Sequence, residues 1–152
     1  MRLYRIPKDG IENLTMAQAD EPKPGPGQVL VRMRAASLNF RDLAIIRGHY
    51  RMGPTPPDLV PLSDGAGEVV EVGAGVTRVA SGDRVAGIFM QGWMGGEMEP
   101  EHGLSALGGA LHGVLADYAL FHETGLVKVP AHLSYEEAAC LPCAAVTAWN
   151  AL

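Results

Sequence analysis

Hydrophobic and polar positions alternate most cleanly after Gln28, where Val29, Val31, Met33 and Ala35 interleave with Leu30, Arg32, Arg34 and Ala36. An extended chain sends successive side chains to opposite faces, so this segment predicts a strand with one wetter face. Over residues 40–47 the spacing becomes helical, with Phe40, Leu43 and Ile46 on one side and Gly48 as a C-terminal stop. Alternation returns in Gly65-Ala-Gly-Glu-Val-Val-Glu-Val-Gly73, which runs into the turn Gly73-Ala-Gly75. A second turn, Ser81-Gly-Asp-Arg84, leads into a strand over 85–89, and residues 2–6, 115–121 and 126–129 read as further strands. The segment Glu21-Pro-Lys-Pro-Gly-Pro-Gly27 is a rigid turn, because proline fixes φ and removes an amide donor. Residues 92–113, rich in glycine and methionine without a period, predict a long surface loop.

Near the end of the chain, Ser134-Tyr-Glu-Glu137 is a capping box that starts a helix, which Pro142 breaks or restarts. Residues 144–152 form a good helical pattern that stops without a terminal cap. Together these elements predict a mainly β fold with short helices.

A length of 152 residues, 47% of them hydrophobic, suffices for one real core. The 19 glycines and 11 prolines point to a turn-rich β-protein, since the charged fraction of 19% is ordinary. A net charge of -5 without Lys or Arg clusters argues against a nucleic-acid partner. No apolar run reaches the roughly 18 residues of a membrane span, and no signal-peptide core opens the chain, so the expected setting is reducing and cytoplasmic, with no membrane partner. Cys140 and Cys143 form a Cys-x-x-Cys, but no second pair exists for a structural zinc. The pair also follows a helical pattern where a thioredoxin-type motif would follow a strand. Histidines recur at 102, 112, 122 and 132, an interval that matches neither helix nor strand.

Several segments, in their order, resemble the N-terminal half of the medium-chain dehydrogenase/reductase superfamily, especially its zinc-free, quinone oxidoreductase-like members. They are the proline-glycine turn before Gln28-Val-Leu-Val31, Ser37-Leu-Asn-Phe-Arg-Asp42, Gly65 to Gly73, Gly82-Asp-Arg-Val85 and Leu141-Pro-Cys-Ala-Ala-Val-Thr-Ala-Trp149. The resemblance implies a GroES-like, distorted and partly open β-barrel over 1–133, with 134–152 starting the helical linker toward a Rossmann domain. The glycine-rich dinucleotide fingerprint of that domain is missing here, since Gly73-Ala-Gly75 lacks the third glycine and the following helix. It further implies NADP or NAD as cofactor, held mainly by the missing domain, a small-molecule carbonyl or quinone as substrate, and allows a homodimer of the full-length protein.

In the zinc-using alcohol dehydrogenases that the chain resembles, a catalytic metal is held by a cysteine, a His-Glu pair and a later cysteine. At the matching positions stand Asn39, Ser63, Asp64 and Cys143. Only Asp64 and Cys143 are competent ligands, where a catalytic zinc usually takes three, so no zinc is expected. Without a Lewis acid, developing charge must be met by hydrogen-bond donors, which favours substrates that delocalise it, such as quinones and enones.

The resemblance places Asn39 and Thr147 near the nicotinamide, with Arg41 and Asp42 on the same cofactor side, and makes Tyr50, with Asn39, a candidate catalytic residue whose hydroxyl donates to a carbonyl. Ser63, Asp64, Cys143 and Trp93 would line the substrate cleft, Trp93 together with Met90, Met94 and Met98 as a soft apolar wall. Each has a structural alternative: Asn39 as a turn former, Asp42 as partner of the helix dipole, Arg41 as a solvated helix residue, Tyr50 as packing, Thr147 bonded to its own helix. The expected function is hydride transfer from a nicotinamide to a quinone, enone or related carbonyl. A zinc-free alcohol dehydrogenase and a stand-alone GroES-like binding or oligomerisation module are the alternatives.

Overall fold

A computed structural model describes residues 1–50 and 53–152 of the chain. The alternating segment after the proline-glycine turn is the longest strand, β3 (Gln28–Ser37), preceded by β1 (Arg2–Arg5) and β2 (Thr15–Gln18) and followed by α1 (Phe40–Ile46). Next come β4 (Asp64–Val72), β5 (Arg84–Gly87), β6 (Tyr118–His122) and β7 (Leu126–Lys128), and then α2 (Tyr135–Ala139) and α3 (Val146–Ala151). β1 and β2 pair as a separate antiparallel ribbon.

The other strands form one antiparallel sheet in the order β6-β3-β4-β5-β7. Its two edge strands are consecutive in sequence, joined by a single 3-10 turn over Glu123–Gly125. Edges that close can be so joined only if the sheet curls on itself, which gives the partly open barrel. Val29, Val31, Val69, Val85, Phe121 and Leu126 fill the interior, with Leu62, Leu107 and Val114 closing it from the loops. At Gly67 a Cβ would run into the Arg32 carbonyl, so glycine permits the close approach of β3 and β4 there.

β3 departs from strict alternation: Leu30 is buried along with Val29 and Val31, and the β3–β4 ladder slips between Leu30 and Val31 and again between Met33 and Ala35. Such bulges bend and twist a strand, which suits a curled sheet. On α1 the expected apolar side is corrected. Phe40 and Leu43 face outward, 83% and 38% exposed, whereas Asp42, Ile45 and Ile46 are buried. The cause lies at the helix start, where the Asp42 carboxylate accepts the Asn39 amide and so turns that face inward. Ile45 and Ile46 then pack with Ile6 and Leu59. Gly48 ends the helix as expected, with φ 74° and its amide bonded to the Ile45 carbonyl.

Two loops also differ from expectation. Residues 114–117 bend, with the Ala116 amide on the Val114 carbonyl, and bond both to Pro61 and Leu62 and to the β1 backbone, through Tyr4 to Leu115 and Asp117 to Arg2, so β6 begins only at Tyr118. Within 92–113, Pro100–Ser105 is a 3-10 turn and Ala106 and Leu107 are buried, so this loop closes the core as well as covering surface. β2 carried no readable alternation, because its strand Thr-Met-Ala-Gln is largely exposed.

The capping box is as read: Glu137 donates its amide to Ser134 Oγ at 3.1 Å, and its carboxylate accepts the Ser134 amide at 2.7 Å. Ala138 and Ala139 lay α2 against Ala66 and Ala86, small residues that let helix and sheet approach closely. Pro142, which lacks an amide hydrogen, then falls in a π-turn over Leu141–Ala145, where the Ala145 amide reaches back to the Cys140 carbonyl. This wide turn rotates Cys143 and Thr147 toward the barrel end.

Candidate active site

The end of β3, the start of β4 and the π-turn meet at Asp64. Ser63 and Asp64 are fully buried, and Ser63 Oγ donates to Asp64 Oδ1 at 2.7 Å. Leu62 just before them holds φ 72°, in the left-handed region that a leucine rarely occupies, while its backbone is gripped by the Val114 amide. Strain of this kind persists where the surroundings over-determine it, and here it presents Ser63 and Asp64 at the barrel end.

Burial pushes the Asp64 carboxyl above its ordinary range, opposed by Ser63, by the Asn39 side chain and by the Cys143 amide. Asn39 lies close enough to hold that carboxyl down, yet its Nδ2 and Asp64 Oδ2 complete no hydrogen bond of ordinary geometry. A buried donor without a partner is costly unless something else meets it. Asp42, buried and accepting the Asn39 amide at 2.8 Å, is likewise pushed up by desolvation and by the Asp64 charge.

Arg41 is part-buried rather than solvated. Its guanidinium lies 4.6 Å from the Phe89 ring centre and 5.7 Å from that of Tyr50, and Nη1 donates to the Leu107 carbonyl at 3.0 Å. Burial pulls its pKa down. Tyr50 is 42% exposed, its ring steadied by Arg41. Cys143 is half-buried and its thiol is pushed up, by burial first and then by the Asp64 charge, with Thr147 acting in the opposite sense.

Beside this cluster lies a cleft of about 620 Å³ between the ends of β5 and β7 and the π-turn, with Phe89, Met90, Trp93, Val127, Cys143 and Thr147 among its walls. Trp93 stacks on His102 at 6.2 Å and leaves its indole N–H unpartnered. Of the methionines expected beside Trp93, Met90 is buried in the cleft wall, but Met94 and Met98 are exposed. Phe89 escaped the sequence reading, since it ended an apolar run without a polar signal. The structure thus gathers Asn39, Ser63, Asp64 and Cys143, sets Thr147 and Trp93 in the adjoining cleft, and links Tyr50 through Arg41.

As a metal site the donor set does not fit. An amide, a hydroxyl bonded to its neighbour, one carboxyl and one thiol replace the three strong ligands of a catalytic zinc, and among the described residues no group of three or more His, Cys, Asp or Glu converges.

Residues 25–131 match the family model of the alcohol dehydrogenase GroES-like domain. The chain belongs to this family. This GroES-like chain is 44% identical over 144 residues to a zinc-type alcohol dehydrogenase-like protein of Schizosaccharomyces pombe, covering 94% of the chain and 41% of that protein. It is 37% identical over 144 residues to the chloroplast envelope quinone oxidoreductase homolog of Arabidopsis thaliana, covering 94% and 38%. A cobalt- and zinc-bound thermostable alcohol dehydrogenase from Pyrobaculum aerophilum superposes with a TM-score of 0.84 at 33% identity, over 99% of the chain and 47% of that structure. The GroES-like chain therefore spans less than half the length of these relatives. Among its described residues, no helix is long and apolar enough to cross a membrane.

The raised carboxyls give the GroES-like fold a distinctive pH profile. Asp42 and Asp64 bind protons more tightly folded than unfolded, so stability rises as pH falls through their elevated values toward 3.8. Asp83, Asp117 and Glu123 are held low by Lys128, Arg2 and the Thr77 amide, so their contribution is lost below about 3.8 to 4.5. Urea denaturation is expected to give maximal stability in mild acid; a maximum above pH 8 would contradict it.

Proposed function

We propose that this GroES-like domain forms the catalytic wall of a medium-chain dehydrogenase/reductase that reduces a quinone, enone or related carbonyl with NADPH or NADH and without catalytic zinc. The carrying observation is the cluster at the positions that hold metal in the zinc-using relatives, where Ser63 and Asp64 are fully buried and Asn39 and Cys143 act on the Asp64 carboxyl, with an apolar cleft alongside. The nicotinamide, when bound, supplies the hydride. Asn39 Nδ2 would hold it near the ribose, and the exposed Thr147 hydroxyl would meet it from the cleft side. Asp42 fixes Asn39 by accepting its backbone amide.

Tyr50 donates its hydroxyl to the substrate carbonyl, and Arg41, stacked between Tyr50 and Phe89, positions that ring while adding positive charge beside it. The adjoining cleft is lined mainly by apolar side chains, and its walls at Phe89 and Trp93 suit a flat conjugated substrate. On this reading residues 134–152 lead from the barrel toward a cofactor-binding Rossmann domain, and the complete enzyme acts in the cytoplasm, where the family fold permits a homodimer.

The full-length protein is expected to oxidise NADPH or NADH in the presence of an enone or quinone, with the rate unchanged by prior chelator treatment. No oxidation across a panel of enones, quinones and simple carbonyls would overturn the reading. Reduction of NAD(P) driven only by alcohols would reverse the reaction direction, and chelator-sensitive turnover would remove the metal-free mechanism.

A further inference from the structure

At the surface, Arg2, Arg34 and Lys128 each meet a carboxylate, on Asp117, Glu68 and Asp83. Arg41 differs. It is part-buried, and among the described residues it forms no ion pair. The carboxyls of the neighbouring cluster are committed elsewhere, Asp42 to the Asn39 amide at 2.8 Å and Asp64 to Ser63 Oγ at 2.7 Å. Of the guanidinium donors, Nη1 bonds the Leu107 carbonyl at 3.0 Å, and Nε is buried without an acceptor. Nη2 lies against Gly109, where a Cβ would stand 2.6 Å from it, so glycine there leaves the room that the head group occupies. A part-desolvated cation with donors to spare and no counter-ion is costly to hold, and it is a site for an anion brought from outside the chain.

Its position indicates which anion. On one side the guanidinium covers Phe89, a ring of the cleft wall, at 4.6 Å, and on the other it faces the exposed ring of Tyr50 at 5.7 Å. Cys143, also of the cleft wall, lies within its electrostatic reach. Lys128, the cation among the residues lining the cleft, is already held by Asp83 at 2.8 Å. An anion that meets Arg41 therefore belongs to the molecule whose carbonyl meets Tyr50.

We propose that Arg41 selects the substrate by binding a carboxylate borne a few bonds from the reacting carbonyl, so that oxo-acids and enone acids are preferred over neutral enones and quinones. The proposal rests on the reading of the chain as part of a carbonyl or enone reductase. A planar guanidinium matches a carboxylate through two parallel N–H···O bonds, and the two flanking rings fix the plane in which they form. Lysine would supply a point charge without that fork. The phosphates of the cofactor are the other source of an anion, and the contact with a cleft-wall ring favours the substrate.

Acetylacrylate and its methyl ester carry the same enone and differ in charge, so the ratio of their kcat/KM values with the full-length protein reads the Arg41 contact. Arg41→Met removes the charge and keeps an apolar stem between the rings. It is expected to lower turnover of both compounds, because Tyr50 loses support, and to lower the acid-to-ester ratio by about 10- to 100-fold, the range for a hydrogen bond to a charged group. Arg41→Lys should restore part of that ratio. A role confined to steadying Tyr50 or the Leu107 loop would slow both compounds alike, and an unchanged ratio overturns the proposal. A raised KM for the reduced nicotinamide with an unchanged ratio assigns the anion to the cofactor and overturns it as well.

Binding gives a second readout that needs neither cofactor nor turnover. Levulinate, a saturated oxo-acid, is expected to raise the thermal midpoint of the full-length wild type at ionic strength matched with chloride, and methyl levulinate is not. Equal shifts with the two, or none with either, overturn the carboxylate site, and this comparison decides even where Arg41→Met fails to fold. Turnover of neutral enones or quinones without acid-specific stabilisation removes the proposal and leaves the reductase reading standing. Acid-specific stabilisation without turnover of any enone, quinone or carbonyl overturns that reading, and with it the assignment of the anion to a substrate.

Discussion

Phe121→Ala is expected to destabilise the fold by about 3–5 kcal/mol, the range for truncating a buried aromatic. Phe121 lies on edge strand β6, opposite Val29 of β3, and is 3% exposed. Its ring also covers Gly87 on β5, where a Cβ would meet it at 2.6 Å. One side chain therefore bridges strands that are not neighbours in the sheet and fills the centre around which the sheet curls. Its loss leaves a cavity bounded by Val29, Val85 and Leu126, which the hydrogen-bonded ladders prevent from collapsing. The loss should appear in urea as a lower midpoint with an unchanged slope. A cost under about 1 kcal/mol would mean that the barrel interior repacks freely.

The largest functional effect is expected from restoring ligands. Asn39→Cys combined with Ser63→His would place four metal donors around the point where Asn39, Ser63, Asp64 and Cys143 already converge. The wild-type protein is expected to retain no stoichiometric zinc after dialysis, whereas the double variant should bind one zinc per chain with sub-micromolar affinity, equivalent to about 8 kcal/mol or more. Elemental analysis after dialysis, with competition by a chromogenic chelator, checks both halves. Stoichiometric zinc in the wild type would contradict the ligand count on which the metal-free reading stands. Failure of the folded double variant to bind would mean that the four positions do not converge as closely as their contacts at Asp64 imply.

The ladder core was legible because its periodicity is local. β3 and β4 announce themselves by alternation, Gly48 and the Ser134 capping box by their place at helix ends, and Pro142 by the donor that it lacks. Interactions closed within a few residues leave their mark on a few residues of sequence. Where partners come from far along the chain, that mark is absent. β2 gives no alternating pattern, since its pairing with β1 and not a buried face makes it a strand. Residues 114–117 look like the start of β6 but divide most of their hydrogen bonds between β1 and the 61–62 segment, and α1 turns Asp42 inward where composition alone would have chosen Phe40.

The site divides along the same line. Counting ligands at Asn39, Ser63, Asp64 and Cys143 required only residue identities and a resemblance, because a donor's chemistry belongs to the residue. Which groups are desolvated, and which lack partners, belongs to the assembly. Leucine at position 62 gives no hint of its left-handed backbone, arginine at 41 none of its stack on Phe89, and cysteine at 143 none of the carboxyl behind it. The sequence by itself determined the mainly β frame, its turns and the poverty of its metal ligands. Only the tertiary structure decided burial and electrostatics, because both depend on which distant residues exclude water from a group and which charges they set beside it.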